Sequence, residues 1–581
     1  MSELDNEESR PVGSSEFKEF EEPERILSLD ELGELPVAER EAYWYKHYYQ
    51  GDNAPQLTFR AILIGLGAAL VHSFSWILGM VMSLSNLYIG LKTGWALGIG
   101  ITACILSYSI GKVLNLKMSV LENNCMQSCA SSAGYSTGGT MVSAVAAYLM
   151  LTKHHMTWQV LGVWTFFLAM LGVFLAIPMK RQMIDVDQLR FPSGVAAAET
   201  LKSLHAEGSE AKDKAGALAK AGLLSDIWKT ILDLSEKRGW FETTRWLPGN
   251  YFGHPFSQWT IGLDLSLVLV AAGCIVGWKM CWSMLLGAFI NYAVLAPAMV
   301  AKGAIHAEKL GFREIVSWST WTGAAMMVTS SLFAFALQWR TVLRALSGIT
   351  SVFGGAKSEG ENPEVEAIQV PNSWFVIGSI IAGAGCVWVL HTAFGTAVWA
   401  GIIAVLLSFV LCLVACRATG ESDITPMGAM GKVAQLSFGV LVPTNMITNL
   451  MTASVTAGAA SASADLLTDL KSGYILGANP RRQFIAQFLG VFAGTLMVVP
   501  AFYVLVPNAD ALGGDKWPAP AAQVWKKVAE LLSEGVQALH PTAQAGLVIG
   551  ALLGILLPLI EMNLPKKLRA YFQPPASDCP S

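Results

Sequence analysis

ENNCMQSCASSAGYSTGG, residues 122–139, lies where hydropathy favours a membrane helix, yet it holds a carboxylate, two asparagines, a glutamine, six hydroxyl side chains and three glycines. In hydrocarbon each unsatisfied polar group costs several kcal/mol. A carboxylate at mid-helix costs about 2.5–3.5 kcal/mol on an insertion scale. Glu122, Asn123, Asn124 and Gln127 therefore face a cavity or polar partners rather than lipid, and Ser131 and Tyr135 follow on the same segment. Gly134, Gly138 and Gly139 permit a break in the helix, which would free backbone groups to bind a solute or ion. A plain helix–helix seam of small residues accounts for Ser128–Ser132, but not for Glu122 or Gln127.

The surrounding chain is that of a membrane protein. Of 581 residues 53% are hydrophobic and 14% charged, with mean hydropathy +0.46, against about 25% charged in an ordinary soluble domain. Ten apolar spans stand out, at 61–90, 94–111, 157–178, 257–278, 281–300, 315–339, 373–391, 396–416, 484–506 and 543–560. Polar or glycine-rich segments at 119–151, 191–206, 424–469 and 517–537 bring the expected total to 12–16 crossings. Strand-type alternation is absent, which excludes a β-barrel. The fold class is all-α, a polytopic membrane helix bundle with two related halves and re-entrant or broken helices.

Residues 1–42 carry 14 acidic and 4 basic side chains and no apolar core, so they read as a solvated acidic tail rather than a signal peptide. The expected organisation is an acidic cytoplasmic tail (1–56), a first transmembrane half (57–345) with an amphipathic insert at 207–250, a charged linker (346–371), a second half (372–565) and a short cytoplasmic tail (566–581). In the insert Leu224, Ile227, Trp228 and Ile231 have helical spacing. Basic clusters at Lys112/Lys117, Lys180–Arg181, Arg340/Arg344, Arg417, Arg481–Arg482 and Lys566–Arg569 place both termini in the cytoplasm of a plasma or inner membrane. No basic patch with interleaved aromatics suggests nucleic acid. Cys125 and Cys129 share a helix face as packing residues, and no metal or cofactor site is expected.

Two internal echoes support the two halves. LKTGWALG (91–98) recurs as LKSGYILG (470–477), and FPSGVAAAETLKSL (191–204) resembles WPAPAAQVWKKVAEL (517–531). Gly94 and Gly473 are expected to turn the chain in matched parts of one central site, with Lys92 and Lys471 at its mouth. Asp465 and Asp469 close a helix of small residues that begins near 453, while Asp423 and Glu199 are further intramembrane acids. The substrate-facing set is thus Asn123, Asn124, Gln127, Ser131, Tyr135, Lys92, Lys471 and Asn449. The proton-coupling set is Glu122, Asp465, Asp469, Asp423 and Glu199. His205 and Asp264 read equally well as structural groups.

ENNCMQSCASSAGYSTGG, FPSGVAAAETLKSLH, GESDITPMGAMGKVAQL (420–436) and ADLLTDLKSGYILGANPRRQ (464–483) together resemble the oligopeptide transporter family, in particular prokaryotic members related to its yellow stripe-like branch. The resemblance runs from about residue 57 to 565; NPG and KIPPR, marks of the eukaryotic peptide-transporting branch, do not occur. It implies a secondary transporter of about 16 helices, driven by protons and carrying small peptides, peptide-like solutes or metal chelates, and it allows a homodimer. A passive channel is the rival of a different class. HExxH, GxSxG and a P-loop are absent, so no enzyme is expected.

Overall fold

In a computed structural model, residues 31–563 are described apart from 58–68, 95–98, 114–117, 206–219, 306–309, 338–362 and shorter stretches, mostly between 222 and 277. The helices are α1 (Val37–His47), α2 (Ala69–Thr93), α3 (Ile99–Val113), α4 (Val120–Thr140), α5 (Trp158–Lys180), α6 (Pro192–His205), α7 (Trp278–Ala288), α8 (Phe312–Leu337), α9 (Pro363–Ile368), α10 (Asn372–Phe394), α11 (Val398–Ser422), α12 (Met427–Leu441), α13 (Met446–Leu476), α14 (Pro480–Leu505), α15 (Pro520–Glu534) and α16 (Pro541–Asn563). Among the described residues six helical stretches are long and apolar enough to cross a bilayer: Trp158–Val186, Cys281–Ala301, Pro363–Phe394, Val398–Glu421, Pro480–Leu505 and Pro541–Asn563. They coincide with six of the apolar runs. The chain is an all-α membrane bundle.

The expected span at 257–278 is corrected at its start. Ser257–Thr260 form turns, and Gly262–Asp264 form a strand paired with Thr244–Trp246. A second small hairpin pairs Asn250–Tyr251 with His254–Pro255. The indole of Trp259 is fully buried beneath them and donates to the Tyr251 carbonyl at 2.7 Å. Leu-Pro-Gly-Asn at 247–250 and Phe-Gly-His-Pro at 252–255 are turn chemistry. Asp264 is therefore an exposed strand residue rather than an intramembrane acid. In the insert Leu224, Ile227, Trp228 and Ile231 are helical and exposed, whereas much of 207–250 lies outside the described residues.

Two halves are present, and they are inverted. The series α2–α6 reappears as α11–α15: Pro192 and Pro520, which open α6 and α15, stand 328 residues apart, and Gly94 and Asp423, which end α2 and α11 with positive φ, stand 329 apart. The packing repeats as well. Helix α2 lies on α4 as α11 lies on α13, while α5 packs on α13 and α14 on α4, so the halves exchange partners. The N-terminal part of α4 meets the C-terminal part of α13, where Ser472 Oγ donates to Asn124 Oδ1 at 2.9 Å. At the far end Tyr503 of α14 donates to the Met156 carbonyl ahead of α5. Equivalent helices therefore run in opposite directions, the arrangement of an inverted-repeat transporter.

The join between halves is also duplicated. Phe191, directly before Pro192, and Ala519, directly before Pro520, both have φ +45°. Phe191 N–H donates to the Gly420 carbonyl at 3.0 Å, and Ala519 N–H to the Leu91 carbonyl at 2.9 Å. Each half thus starts its short helix against the end of a long helix from the other. At 14 and 15 residues, α6 and α15 reach about 21 and 22 Å, short of the ~30 Å hydrocarbon core. The echo between 91–98 and 470–477 is in a different register: Gly94 has φ +82° at the end of α2, but Gly473 is inside α13 and the turn falls at Gly477, φ +71°. Lys92 and Lys471 are consequently not equivalent positions.

Glycine in α4 does not break it. The helix continues through Thr140 into a π-helical turn, Met141–Val145, and then Ala146–Thr152. Glycines instead permit close approach. A Cβ on Gly494 of α14 would stand 2.8 Å from the Ala133 Cα of α4, and Gly546, Gly550 and Gly554 of α16 lie against Thr322, Met326 and Thr329 of α8.

The solvated-tail expectation for 1–56 is also corrected for residues 31–56. Arg40, 6% exposed, donates to the carbonyls of Leu32, Leu35, Asp185 and Val186. Trp44 stacks on Tyr474 at 5.0 Å and donates to its carbonyl at 2.9 Å. The negative ends of the chain segments after α5 thus supply what the acidic tail composition hides, a set of acceptors for a buried guanidinium. Asp52 accepts from Tyr49 at 2.6 Å and from Asn479 at 2.9 Å, and the Tyr49 bond foremost holds its carboxyl below the usual range. Arg40→Ala removes hydrogen bonds of about 1.5–3 kcal/mol in charge-assisted strength. Limited proteolysis should then cut within 31–56 several-fold faster while the bundle stays intact; an unchanged cleavage rate would contradict this anchoring.

The same end gathers Lys180, Arg181, Arg417, Arg481 and Arg482. Lys180 pairs with Asp185 at 2.8 Å, Arg417 with Asp187 at 2.7 Å, and Arg481 and Arg482 reach backbone carbonyls of Gln369 and Asp52. Linker residues Pro363–Ile368 fold as α9 and pack on α1. Arg340, Arg344, Lys117 and Lys566–Arg569 lie outside the described residues.

Candidate functional site

The inverted repeat brings short helix ends and one long helix around a central acidic cavity. It encloses about 560 Å³ between atoms and is bounded by Gly100 and Ile101 of α3, Ser131 and Tyr135 of α4, Ser193 and Ala197 of α6, Thr419, Asp423 and Thr425 around the end of α11, and Asp465, Thr468 and Asp469 of α13. The sequence builds this geometry in three ways. Residues 453–464 of α13 are small apart from Val455, so neighbouring backbones come close. Asp465 and Asp469 are one turn apart and share a helix face. Helices α3 and α6 present N-terminal residues to the cavity, where unpaired N–H groups favour negative charge.

The aspartates are held by neutral donors. Asp469 is 4% exposed and accepts from Gln127 Nε2 at 2.6 Å. Asp465 accepts from Ser461 Oγ at 3.3 Å. Asp423 accepts from both the N–H and the Oγ of Ser193, at 2.8 and 2.6 Å, which ties the end of α11 to the start of α6. Tyr135 Oη accepts the Ile99 N–H at 2.7 Å and so caps α3. Among the described residues no Lys, Arg or His forms a salt bridge with these three aspartates. No group of three His, Cys, Asp or Glu side chains with metal-binding geometry occurs among them either.

Of the residues singled out from sequence, Ser131, Tyr135, Asp423, Asp465 and Asp469 converge on the cavity, and Gln127 supports it from behind Asp469. The others are placed elsewhere. Glu122 closes a capping box at the start of α4: it accepts the Ser119 N–H at 2.9 Å, and its own N–H donates to Ser119 Oγ at 3.0 Å. Asn123 accepts from Ser107, and Asn449 donates to the Gln435 carbonyl. These are matching positions of the repeat, each stitching a short helix to a long one. Asn124 accepts from Ser472. Lys92 lies 5.9 Å from the Trp517 ring and Lys471 5.3 Å from the Tyr474 ring. Glu199 is largely exposed and pairs with Lys202 at 3.0 Å.

A second cavity, of about 300 Å³, shares the Tyr135 wall. Thr140, Met427, Ser454, Ser461 and Trp525 also border it. Trp525 occupies in α15 the place of Ala197 in α6, 328 residues earlier, so this cavity is the inverted counterpart of the acidic one. The buried Lys432 sits over the Trp525 ring at 4.5 Å. Sequence reading passed over Lys432 and Trp525. The available signal was a lone lysine in the apolar run MGAMGKVAQLSF, residues 427–438.

Comparison with known proteins agrees with this architecture. The model of the family described as OPT oligopeptide transporter protein matches residues 56–577. The Saccharomyces cerevisiae protein YGL114W, which bears an oligopeptide-transporter name, is 22% identical, over 87% of this chain and 85% of its own. A Haemophilus influenzae protein with a similar name is 24% identical over 72% of this chain and 70% of its own. The Arabidopsis thaliana metal-nicotianamine transporter YSL1 is 23% identical over 83% of this chain and 77% of its own. A match that spans nearly the whole bundle, including both inverted halves and the cavity between them, places the chain in the oligopeptide transporter family, as a multi-pass membrane transporter and not an enzyme.

Proposed function

We propose that the protein is a proton-coupled symporter for small peptides or peptide-like solutes across a plasma or inner membrane. The observation that carries this reading is the pair Asp465 and Asp469, set one turn apart on a central cavity and held by Ser461 and Gln127 rather than by a cation. A carboxylate without a fixed counter-charge in such a place either takes a proton or meets a cationic group of the solute. The ammonium of a peptide is such a group, and proton and ammonium then compete for one site. The basic groups gathered around α1, α9 and the start of α14 support a cytoplasmic position for that end of the bundle and for the N-terminal segment. A second reading, uptake of metal chelates, draws on the names of the plant relatives.

Proteoliposomes containing the purified protein test the coupling. With dialanine as probe, an imposed proton gradient should drive accumulation above the external concentration. One elementary charge across 100 mV supplies about 2.3 kcal/mol, which corresponds to about a 50-fold gradient. Equilibration without accumulation would indicate a passive pore. A thermal-shift comparison of dialanine, glutathione and ferric citrate on the same protein separates substrate classes, and stabilisation by the chelate alone would overturn the peptide reading.

A further inference from the structure

Lys432 is a buried cation whose role the acidic cavity leaves unexplained. It is 4% exposed, on α12. Its ammonium donates to Gln435 Oε1 at 3.0 Å and rests on the Trp525 ring. An ammonium has three donors, and among the described residues no carboxylate pairs with this one. A lone buried charge in a membrane protein is costly unless an anion joins it.

The neighbouring cavity supplies an independent observation. Two of its lining hydroxyls, Thr140 Oγ1 and Ser454 Oγ, are buried and have no hydrogen-bond partner. Thr140 is 7% exposed and Ser454 1%. Buried hydroxyls are nearly always paired in folded proteins. Trp525 forms one wall of this cavity and carries the Lys432 ammonium on its ring, so unfilled hydroxyls and an unpaired cation occur together. Tyr135 belongs to both cavities, and the Ser461–Asp465 hydrogen bond crosses from one to the other.

We propose that this second cavity binds the carboxylate end of the transported solute, with Lys432 as its counter-charge and Thr140 and Ser454 as hydroxyl donors. The solute class is then a zwitterion lying across Tyr135, its ammonium among Asp423, Asp465 and Asp469 and its carboxylate beside Trp525. This assignment rests on the peptide reading above. It adds a subsite from the other half of the repeat, with the opposite charge preference.

Equilibrium binding to purified protein tests it with three probes: dialanine, dialanine amide, which lacks the carboxylate, and N-acetyl-dialanine, which lacks the ammonium. Wild type should bind the free acid about 10- to 100-fold more tightly than the amide, the range of one charge-assisted interaction. Lys432→Gln should erase that preference and leave amide binding unchanged, while Lys432→Arg retains it. If Lys432→Gln does not fold, the Thr140→Val, Ser454→Ala double variant should narrow the same preference several-fold. Wild type that binds acid and amide equally, or a Lys432→Gln protein that still discriminates, overturns the carboxylate subsite and leaves the peptide reading standing. No binding of any of the three probes overturns the peptide reading itself.

Discussion

Asp469→Asn should abolish proton-driven accumulation while leaving solute exchange across the membrane. Asparagine keeps the size of the side chain and an oxygen to accept from Gln127, so the cavity wall survives. What is lost is the group that can carry a proton. Under 100 mV the expected accumulation falls from about 50-fold to unity, and counterflow of labelled dialanine in the absence of a gradient continues. Asp465→Asn should act in the same direction, since Asp465 lines the same cavity. Glu122→Gln is the informative contrast. A glutamine at the third position of a capping box accepts the Ser119 N–H as glutamate does, so that variant should accumulate solute normally. Full accumulation by both aspartate variants would remove them from the coupling mechanism.

The largest effect on assembly is expected from Gly494→Leu. Here α14 of one half and α4 of the other approach so closely that even a methyl group would stand 2.8 Å from the Ala133 Cα and against its carbonyl. Backbone cannot yield as a side-chain tip can. Overpacking in a core typically costs about 1–3 kcal/mol and sometimes more, and this seam belongs to the central scaffold that places Gln127, Ser131 and Tyr135. The variant should lose the monodisperse peak in size-exclusion chromatography, or unfold at a clearly lower temperature. Gly162→Leu, where nothing stands within 4 Å of the new Cβ, should be close to wild type. Equal behaviour of the two variants would show that close approach at 494 is not what that glycine provides.

How much of this was legible depends on which physical signal each residue emits. Long apolar runs are unambiguous in composition, so α5, α10, α11, α14 and α16 were read within a few residues. Asp465 and Asp469 stood out because an acid among Ala, Ser and Thr on a membrane helix has few bland explanations. Glu122 looked similar, but its position at a helix start, three residues after Ser119, makes it a cap. Hydropathy does not mark where a helix begins. The apolar residues of 257–264 were misread because Trp259 and Ile261 serve the core of a small hairpin unit rather than face lipid. Arg40 and Trp44 were hidden by the surrounding acids: composition averages over a segment, whereas the anchoring depends on two side chains meeting carbonyls about 145 and 430 residues away. The repeat was sensed through the wrong words. Leu-Lys-Thr-Gly and Leu-Lys-Ser-Gly look alike but stand 379 residues apart, while the true offset near 328 is carried by Pro192 and Pro520, and by Gly94 and Asp423, whose likeness is conformational.

The inversion of the repeat has a consequence for states of the molecule other than this one. Each half is a working draft of the other, drawn upside down. The half with α3 and α6 holds a roomier cavity, and the half with α12 and α15 a tighter one. If the two halves traded shapes, with every bond length and nearly every helix kept, the roomier space would move to the Trp525 side and the opening would face the opposite compartment. A transport cycle of that kind requires no new fold and no distant domain. It requires only that a single chain hold two nearly isoenergetic ways of distributing the same pair of conformations, with Tyr135, common to both cavities, at the point about which they exchange.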